Sequence, residues 1–251
     1  MLPMIRVALR LTAVVLLFLA CLLPHLLSKW FLGHSRWPRR FLASAGWIAG
    51  ARVEVVGGPV RPHTLLLANH LSWMDIIVMS AATGCAFVSK DNLGHSLLHW
   101  LADQNHTLYI TRARRSTTAD QASAIAAALE RPQPLALFPE GTTGPGDHLL
   151  PFRSALLAAV APAPPSVEVR PVAIDYGPAA REVGWHGEPG KDNVLRILGR
   201  KGSLPTVVRI LAPLEPGADR KHMAHQARER IAAALASPGI APASSSARAG
   251  L

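Results

Sequence analysis

Thr64-Leu65-Leu66-Leu67-Ala68-Asn69-His70-Leu71-Ser72-Trp73-Met74-Asp75-Ile76-Ile77-Val78-Met79 is the stretch on which the fold turns. An apolar run from Thr64 to Ala68 reads as a strand that stops at a polar pair, so His70 lands at a strand end, where loops carry chemistry on a rigid support. A second apolar segment opens at Ile76 and reads as a helix to Ala82. On one regular helix, side chains five residues apart diverge by about 140°. The pair His70 and Asp75 therefore has to bridge a turn into a helix start, with Asp75 folding back on His70. Imidazole takes and returns a proton near neutrality, and a carboxylate beside it holds its tautomer and stabilises the imidazolium. That is general-base chemistry without a protein nucleophile. The competing reading is local: Asn69 or Ser72 caps the helix and Asp75 complements its N-terminal dipole.

Outward from this stretch, short β-rich runs alternate with helical ones. Candidate strands are 53–56, 64–68, 85–89, 107–111, 134–138, 167–175 and 206–211. Candidate helices are 76–82, 97–102, 119–130, 155–160 and 220–236, the last with Met223, Ala227, Ile231 and Leu235 on its inward face. Such alternation predicts an α/β domain over 51–236, a mixed, mostly parallel sheet flanked by helices. Residues 1–50 read as an N-terminal membrane anchor, a membrane-anchoring helix or helical hairpin. Leu11 to Leu27 is almost free of polar groups, Pro24 and His25 interrupt its end, Arg10 and Lys29 can snorkel, and Phe41 to Gly50 is a second apolar piece. A cleaved signal with Leu19-Ala20-Cys21 at its end is the alternative, disfavoured by the bulk of Phe18 and Leu19. Residues 237–251 are rich in Pro, Ala and Ser and are expected to be a disordered tail.

The 251 residues carry a formal net charge of +10 with 49% hydrophobic residues. A balance this basic calls for an anionic partner. No nucleic-acid module accompanies it, with Phe, Trp and Tyr together only 6%, so nucleic acid is not expected and an anionic membrane surface is. Two cysteines, Cys21 and Cys85, are too few for a disulfide framework and read as structural thiols. The histidines form no metal-ligand spacing, and no metal is expected.

A second motif, Leu137-Phe138-Pro139-Glu140-Gly141-Thr142-Thr143-Gly144, ends another apolar strand in a loop of backbone amides, hydroxyls and one carboxylate, able to cradle an anionic group or to be an ordinary Gly-rich turn. Between the motifs, Leu108-Tyr109-Ile110-Thr111-Arg112 ends a strand in arginine, suited to bidentate capture of phosphate. Farther on, Val169-Arg170-Pro171-Val172-Ala173-Ile174 is a buried-strand pattern able to line an apolar slot.

His70 to Asp75, Arg112, Phe138 to Thr142 and the Pro171-Val172 strand, in this order, resemble the four blocks of the glycerolipid (lysophospholipid) acyltransferase family. The resemblance covers roughly residues 50 to 215 and includes Phe87-Val88-Ser89-Lys90. It implies acyl transfer from an acyl thioester, acyl-CoA or acyl-ACP, to a lysophospholipid hydroxyl, most simply that of 1-acyl-sn-glycerol-3-phosphate, with no bound cofactor. His70 becomes the base and Asp75 its orienting carboxylate. Arg112 binds the acceptor phosphate, Glu140, Gly141 and Thr142 position the acceptor, and Pro171 and Val172 contact apolar chain. The implied location is the cytoplasmic (inner) membrane, with the site facing the cytosol. Two departures stand out. His106 and Thr111 occupy places where the family usually has Gly and Asp, and Thr143-Gly144 replaces its usual basic residue. The latter variant, running on to Leu150-Pro151-Phe152-Arg153-Ser154, is similar to members that acylate other lysolipids, including lyso-ornithine lipid, with Arg153 available to restore the charge. Hydrolysis on the same pair is disfavoured because no Gly-x-Ser-x-Gly elbow exists. A non-catalytic protein binding anionic membranes is the alternative of another class.

Overall fold

The computed structural model describes residues 2–90, 96–110, 118–158, 160–161, 163 and 166–237. Its strands are β1 (Ala51–Val56), β2 (Thr64–Ala68), β3 (Ala86–Lys90), β4 (Leu108–Ile110), β5 (Leu135–Leu137), β6 (Glu168–Asp175) and β7 (Leu204–Ile210). They form one sheet in the order β1-β7-β6-β2-β5-β3-β4. Among the described residues β6 and β7 pair antiparallel and every other neighbouring pair is parallel. Around it lie α1 (Leu2–Leu32), α2 (Trp37–Ala49), α3 (Met74–Thr83), α4 (Ser96–Gln104), α5 (Thr118–Leu129), α6 (Ala180–Val183), α7 (Gly190–Gly199) and α8 (Arg220–Ala236).

The Leu-Leu-Leu run of β2 is apolar throughout because helices cover both faces of the sheet, as buried parallel strands require. Leu66 and Ala68 enter one core with Val78, Met79, Phe87 and Val172. Leu65 and Leu67 enter the other with Ile125, Leu137, Met223 and Ala227. Each fully buried Leu contributes about 2 kcal/mol, which pins the register of β2 and hence the place where its end emerges. Cys21 and Cys85 are buried free thiols, and burial pushes the Cys85 thiol up to about 12, which keeps it inert.

α1 is long and apolar enough to cross a membrane by length and composition, yet it lies along the domain. Arg6 donates to the Gly199 carbonyl at 3.1 Å, and Arg10 donates to that of Leu198 at 2.9 Å. Both therefore satisfy the open C-terminal carbonyls of α7, which corrects the expectation that Arg10 snorkels. Lys29 is exposed at the end of α1 and donates to Gln104 Oε1. Nor do Pro24 and His25 end the helix, which runs on to Leu32. Proline forfeits one backbone bond, but His25 is buried between Ser35 Oγ and Gln104 Oε1 at 2.8 and 3.1 Å, and this packing carries the helix past it. The second apolar piece is α2, so the N-terminal segment is a helical pair. Leu9, Leu16, Leu23 and Trp30, spaced by seven, leave one stripe of α1 exposed.

The expected helix at 155–160 is only a short 3₁₀ turn, Ser154–Leu157. α6 and α7 were not anticipated. α7 is short and opens on Gly190 after a Gly- and Pro-bearing stretch, although Val194, Ile197 and Leu198 stand at helical spacing on its inward face beside the buried Asn193. Residues 238–251, expected to be a tail, lie outside the described residues.

Candidate active site

The ends of β2, β5 and β6 converge with the start of α3, the arrangement in which open α/β sheets collect their chemistry. β2 delivers Asn69, whose amide donates to the Ile174 carbonyl at 3.0 Å while its Oδ1 accepts the Ile174 N–H at 2.8 Å. This clasp ties the ends of β2 and β6 together. His70 follows. The turn 71–73 then feeds α3, and Asp75 in its first turn folds back so that His70 Nδ1 lies 2.8 Å from Asp75 Oδ2.

Asp75 is fully buried. Its Oδ2 also accepts the backbone N–H groups of Leu71 at 2.5 Å and Ser72 at 2.8 Å, and its Oδ1 accepts the Tyr176 hydroxyl at 2.7 Å. Four donors satisfy a carboxylate out of water. With Oδ2 accepting, Nδ1 carries the imidazole proton, and Nε2 is left with the lone pair. The His70 ring stacks on Phe138, centroids 4.1 Å apart, which fixes its plane. The local reading holds in part: Ser72 Oγ accepts the Met74 N–H and Asp75 is the acidic residue of the first turn of α3, but Asn69 caps nothing and the Asp75 carboxylate also holds His70.

Glu140 reaches the same point from β5, its Oε1 accepting the His70 N–H at 2.8 Å. Burial, and after it the nearby Asp75 carboxylate, pushes Glu140 from 4.5 up to about 8. Between those values the folded state keeps a proton that the unfolded state has lost, so stability falls as pH rises from about 4.5 to about 8 and levels beyond. Glu140→Gln, which keeps the acceptor oxygen, is expected to flatten this slope. Thermal melts of both proteins between pH 5 and 8 check it, and parallel curves overturn it.

Gly141 holds φ +70°, with Leu156 and the Arg153 side chain packed where a Cβ would stand, so the turn needs glycine. Thr142 is exposed. Thr143 turns inward, its hydroxyl donating to the Trp185 carbonyl at 2.6 Å. Gly144 N–H donates to the His70 carbonyl at 2.8 Å. Arg153 is exposed, with its stem against Gly141. Arg112 lies outside the described residues. Pro171 and Val172 are interior residues of β6, paired with Leu67 and Ala68.

Two concavities flank the pair. A polar cleft of about 520 Å³ includes His70, Glu140, Asp147, His148, Asp175 and Tyr176 in its wall and is closed at one side by the last turn of α8. An apolar cavity of about 370 Å³ lies between α1, α2, α3 and α4, lined by Phe18, Leu22, Phe41, Trp73, Ile76 and Phe87 among others. Neither Pro171 nor Val172 lines it. Stacked aromatic rings stand between the two walls, for Phe87 of the apolar cavity stacks on Phe138 at 6.1 Å and Phe138 on His70 of the cleft. The residue that motif reading missed is Tyr176. Its signal was positional, a tyrosine directly after the buried strand β6 at the edge where β2 and β5 also end.

Residues 52–175 match the family model described as Acyltransferase. The chain is 34% identical over 227 residues to a lyso-ornithine lipid O-acyltransferase of Rhizobium meliloti (strain 1021), covering 87% of this chain and 76% of the relative. It is 34% identical over 125 residues to a 1-acyl-sn-glycerol-3-phosphate acyltransferase of Neisseria gonorrhoeae, covering 48% of each. In fold it is similar to the crystal structure of the 1-acyl-sn-glycerophosphate acyltransferase of Thermotoga maritima, with a TM-score of 0.59, 22% identity and coverage of 79% of this chain and 76% of the other.

Proposed function

The chain belongs to the acyltransferase family that acylates lysolipids, and on that premise we propose that it moves a fatty acyl group from an acyl thioester to the free hydroxyl of lyso-ornithine lipid. One observation carries the choice of acceptor. Similarity to the lyso-ornithine enzyme runs through 87% of the chain, including segments outside the shared motifs, while similarity to the glycerophosphate enzyme spans 48%. Thr143 supports it, since where a phosphate-reading loop would carry a basic residue this hydroxyl is turned to the Trp185 carbonyl.

In this reading His70 Nε2 takes the acceptor's hydroxyl proton as the oxygen attacks the thioester carbonyl. The carbon–sulfur bond breaks, and the imidazolium returns the proton to the departing thiolate. Asp75 holds the tautomer throughout. Arg112, Glu140, Gly141, Thr142 and Arg153 position the acceptor head, and the apolar cavity between α1 and α4 takes acyl chain, a task first expected of Pro171 and Val172. The exposed stripe of α1, with Arg36, Arg39 and Arg40 beyond its end, rests on an anionic membrane surface. Holding thioester and hydroxyl together out of bulk water supplies much of the rate.

The test is acyl transfer by the detergent-solubilised protein, with labelled acyl-CoA and acyl-ACP each offered against lyso-ornithine lipid and 1-acyl-sn-glycerol-3-phosphate. A preference for the ornithine acceptor of at least about 10-fold in kcat/KM is expected. Preference for the glycerophosphate would transfer the assignment to phosphatidic acid synthesis and leave the family chemistry standing.

A further inference from the structure

We propose that Tyr176 is a positioning residue for acyl transfer: anchored at the end of β6, its hydroxyl holds Asp75 by Oδ1 and so presents Oδ2 to His70 Nδ1. The proposal rests on the reading of His70 as the base.

Three observations carry it. First, the donors to Asp75 are divided. Oδ2 accepts from His70, Leu71 and Ser72, all within five residues of Asp75 in sequence, whereas Oδ1 accepts from Tyr176, 101 residues away. Without that distant anchor the carboxylate plane is set only by the turn that also carries His70. Second, both partners are sealed from water, Asp75 at 0% and Tyr176 at 2% exposure. No solvent replaces a lost donor there, and an orphaned carboxylate oxygen is costly. Third, the anchor itself is fixed. Ile174, two residues before Tyr176, is clasped in both directions by Asn69, the residue before His70. The hydroxyl and the imidazole are thus held by one strand junction, and the three side chains keep a common frame. Burial, and after it the Asp75 charge, holds the phenol well above its ordinary range, so it stays a donor.

The role differs from plain packing by its effect on protonation. Removing a donor from a buried carboxylate disfavours its charged form, so the coupled His70–Asp75 pair takes up its inactivating proton at higher pH. The other titratable groups around the pair are Glu140, Asp147 and His148 from the β5 loop, Asp175 with Arg209 from β6 and β7, and Arg228 from α8. All are retained in the variants.

In Tyr176→Phe, kcat is expected to fall about 10-fold with both KM values nearly unchanged. The acid limb of the pH–kcat profile should move up by about half a unit or more. The chain has two tyrosines, so growth on 3-fluorotyrosine in a Tyr109→Phe background fluorinates Tyr176 alone. A more acidic phenol donates more strongly, and the acid limb should then move down relative to unfluorinated Tyr109→Phe. Opposite shifts are the signature. An unmoved limb in both variants, or shifts of the same sign, overturns the positioning role. Should the phenylalanine variant fail to fold, the fluorinated protein, which differs by one small atom, decides alone. His70→Ala runs alongside. If it retains turnover, the base reading falls and the role of Tyr176 with it. If it is inactive while the limbs stand still, the inference about Tyr176 alone is lost.

Discussion

His70→Ala is expected to lower turnover by about 10²- to 10⁴-fold, the range associated with loss of a positioned general base, in a protein that still folds. The register of β2 rests on Leu65, Leu66 and Leu67, none of which the substitution touches. What it removes from the fold is the stack on Phe138, about 1 kcal/mol, and one of four donors to Asp75, whose Oδ2 keeps the Leu71 and Ser72 amides. Steady-state acylation at saturating acceptor and donor, with a thermal melt beside it, separates the two effects. Turnover within about 10-fold of wild type in a folded variant would leave the basic, apolar exterior as the functional part and favour the non-catalytic membrane-binding alternative.

How far the chain could be read before its structure was known depended on where the apolar signal was continuous. β2 and β6 are buried on both faces, and their runs of Leu, Val and Ile could be read directly; the seven anticipated strands coincide with β1 to β7 to within about two residues at most ends. The return of Asp75 to His70 was legible too, because helical geometry forbade the pair from sharing one regular helix. α7 was passed over although Val194, Ile197 and Leu198 give it an apolar face, because it is only ten residues long and follows a Gly- and Pro-bearing stretch; its Asn193, which takes the Trp73 indole N–H and donates to the Val183 carbonyl, makes a polar junction that no hydrophobic period reports. The course of α1 past Pro24 was hidden for a related reason. A proline forbids a backbone bond locally, but contacts with residues about 80 positions away, His25 to Gln104, outweigh it. Tyr176 joined the site by topology alone, through the placement of β6 beside β2.

Asp75→Ala should be as damaging to activity as His70→Ala and far worse for stability. The carboxylate is a buried hub for the imidazole, two backbone amides and a phenol. Truncation orphans the buried Ser72 N–H and Tyr176 hydroxyl, at about 1–3 kcal/mol for each unsatisfied donor, leaves the half-buried Leu71 N–H without its acceptor, and frees His70 to rotate and change tautomer. We expect a loss of several kcal/mol by denaturant titration and a fall in turnover of about 10²-fold or more. Asp75→Asn separates the contributions. Its Oδ1 can still accept one donor, but the amide nitrogen cannot accept from the Leu71 and Ser72 amides, so stability is only partly recovered while activity stays low. If the two residues act as one unit, the double variant His70→Ala/Asp75→Ala should be no slower than either single variant. Additive losses of turnover would mean that Asp75 serves catalysis by a route that does not pass through His70.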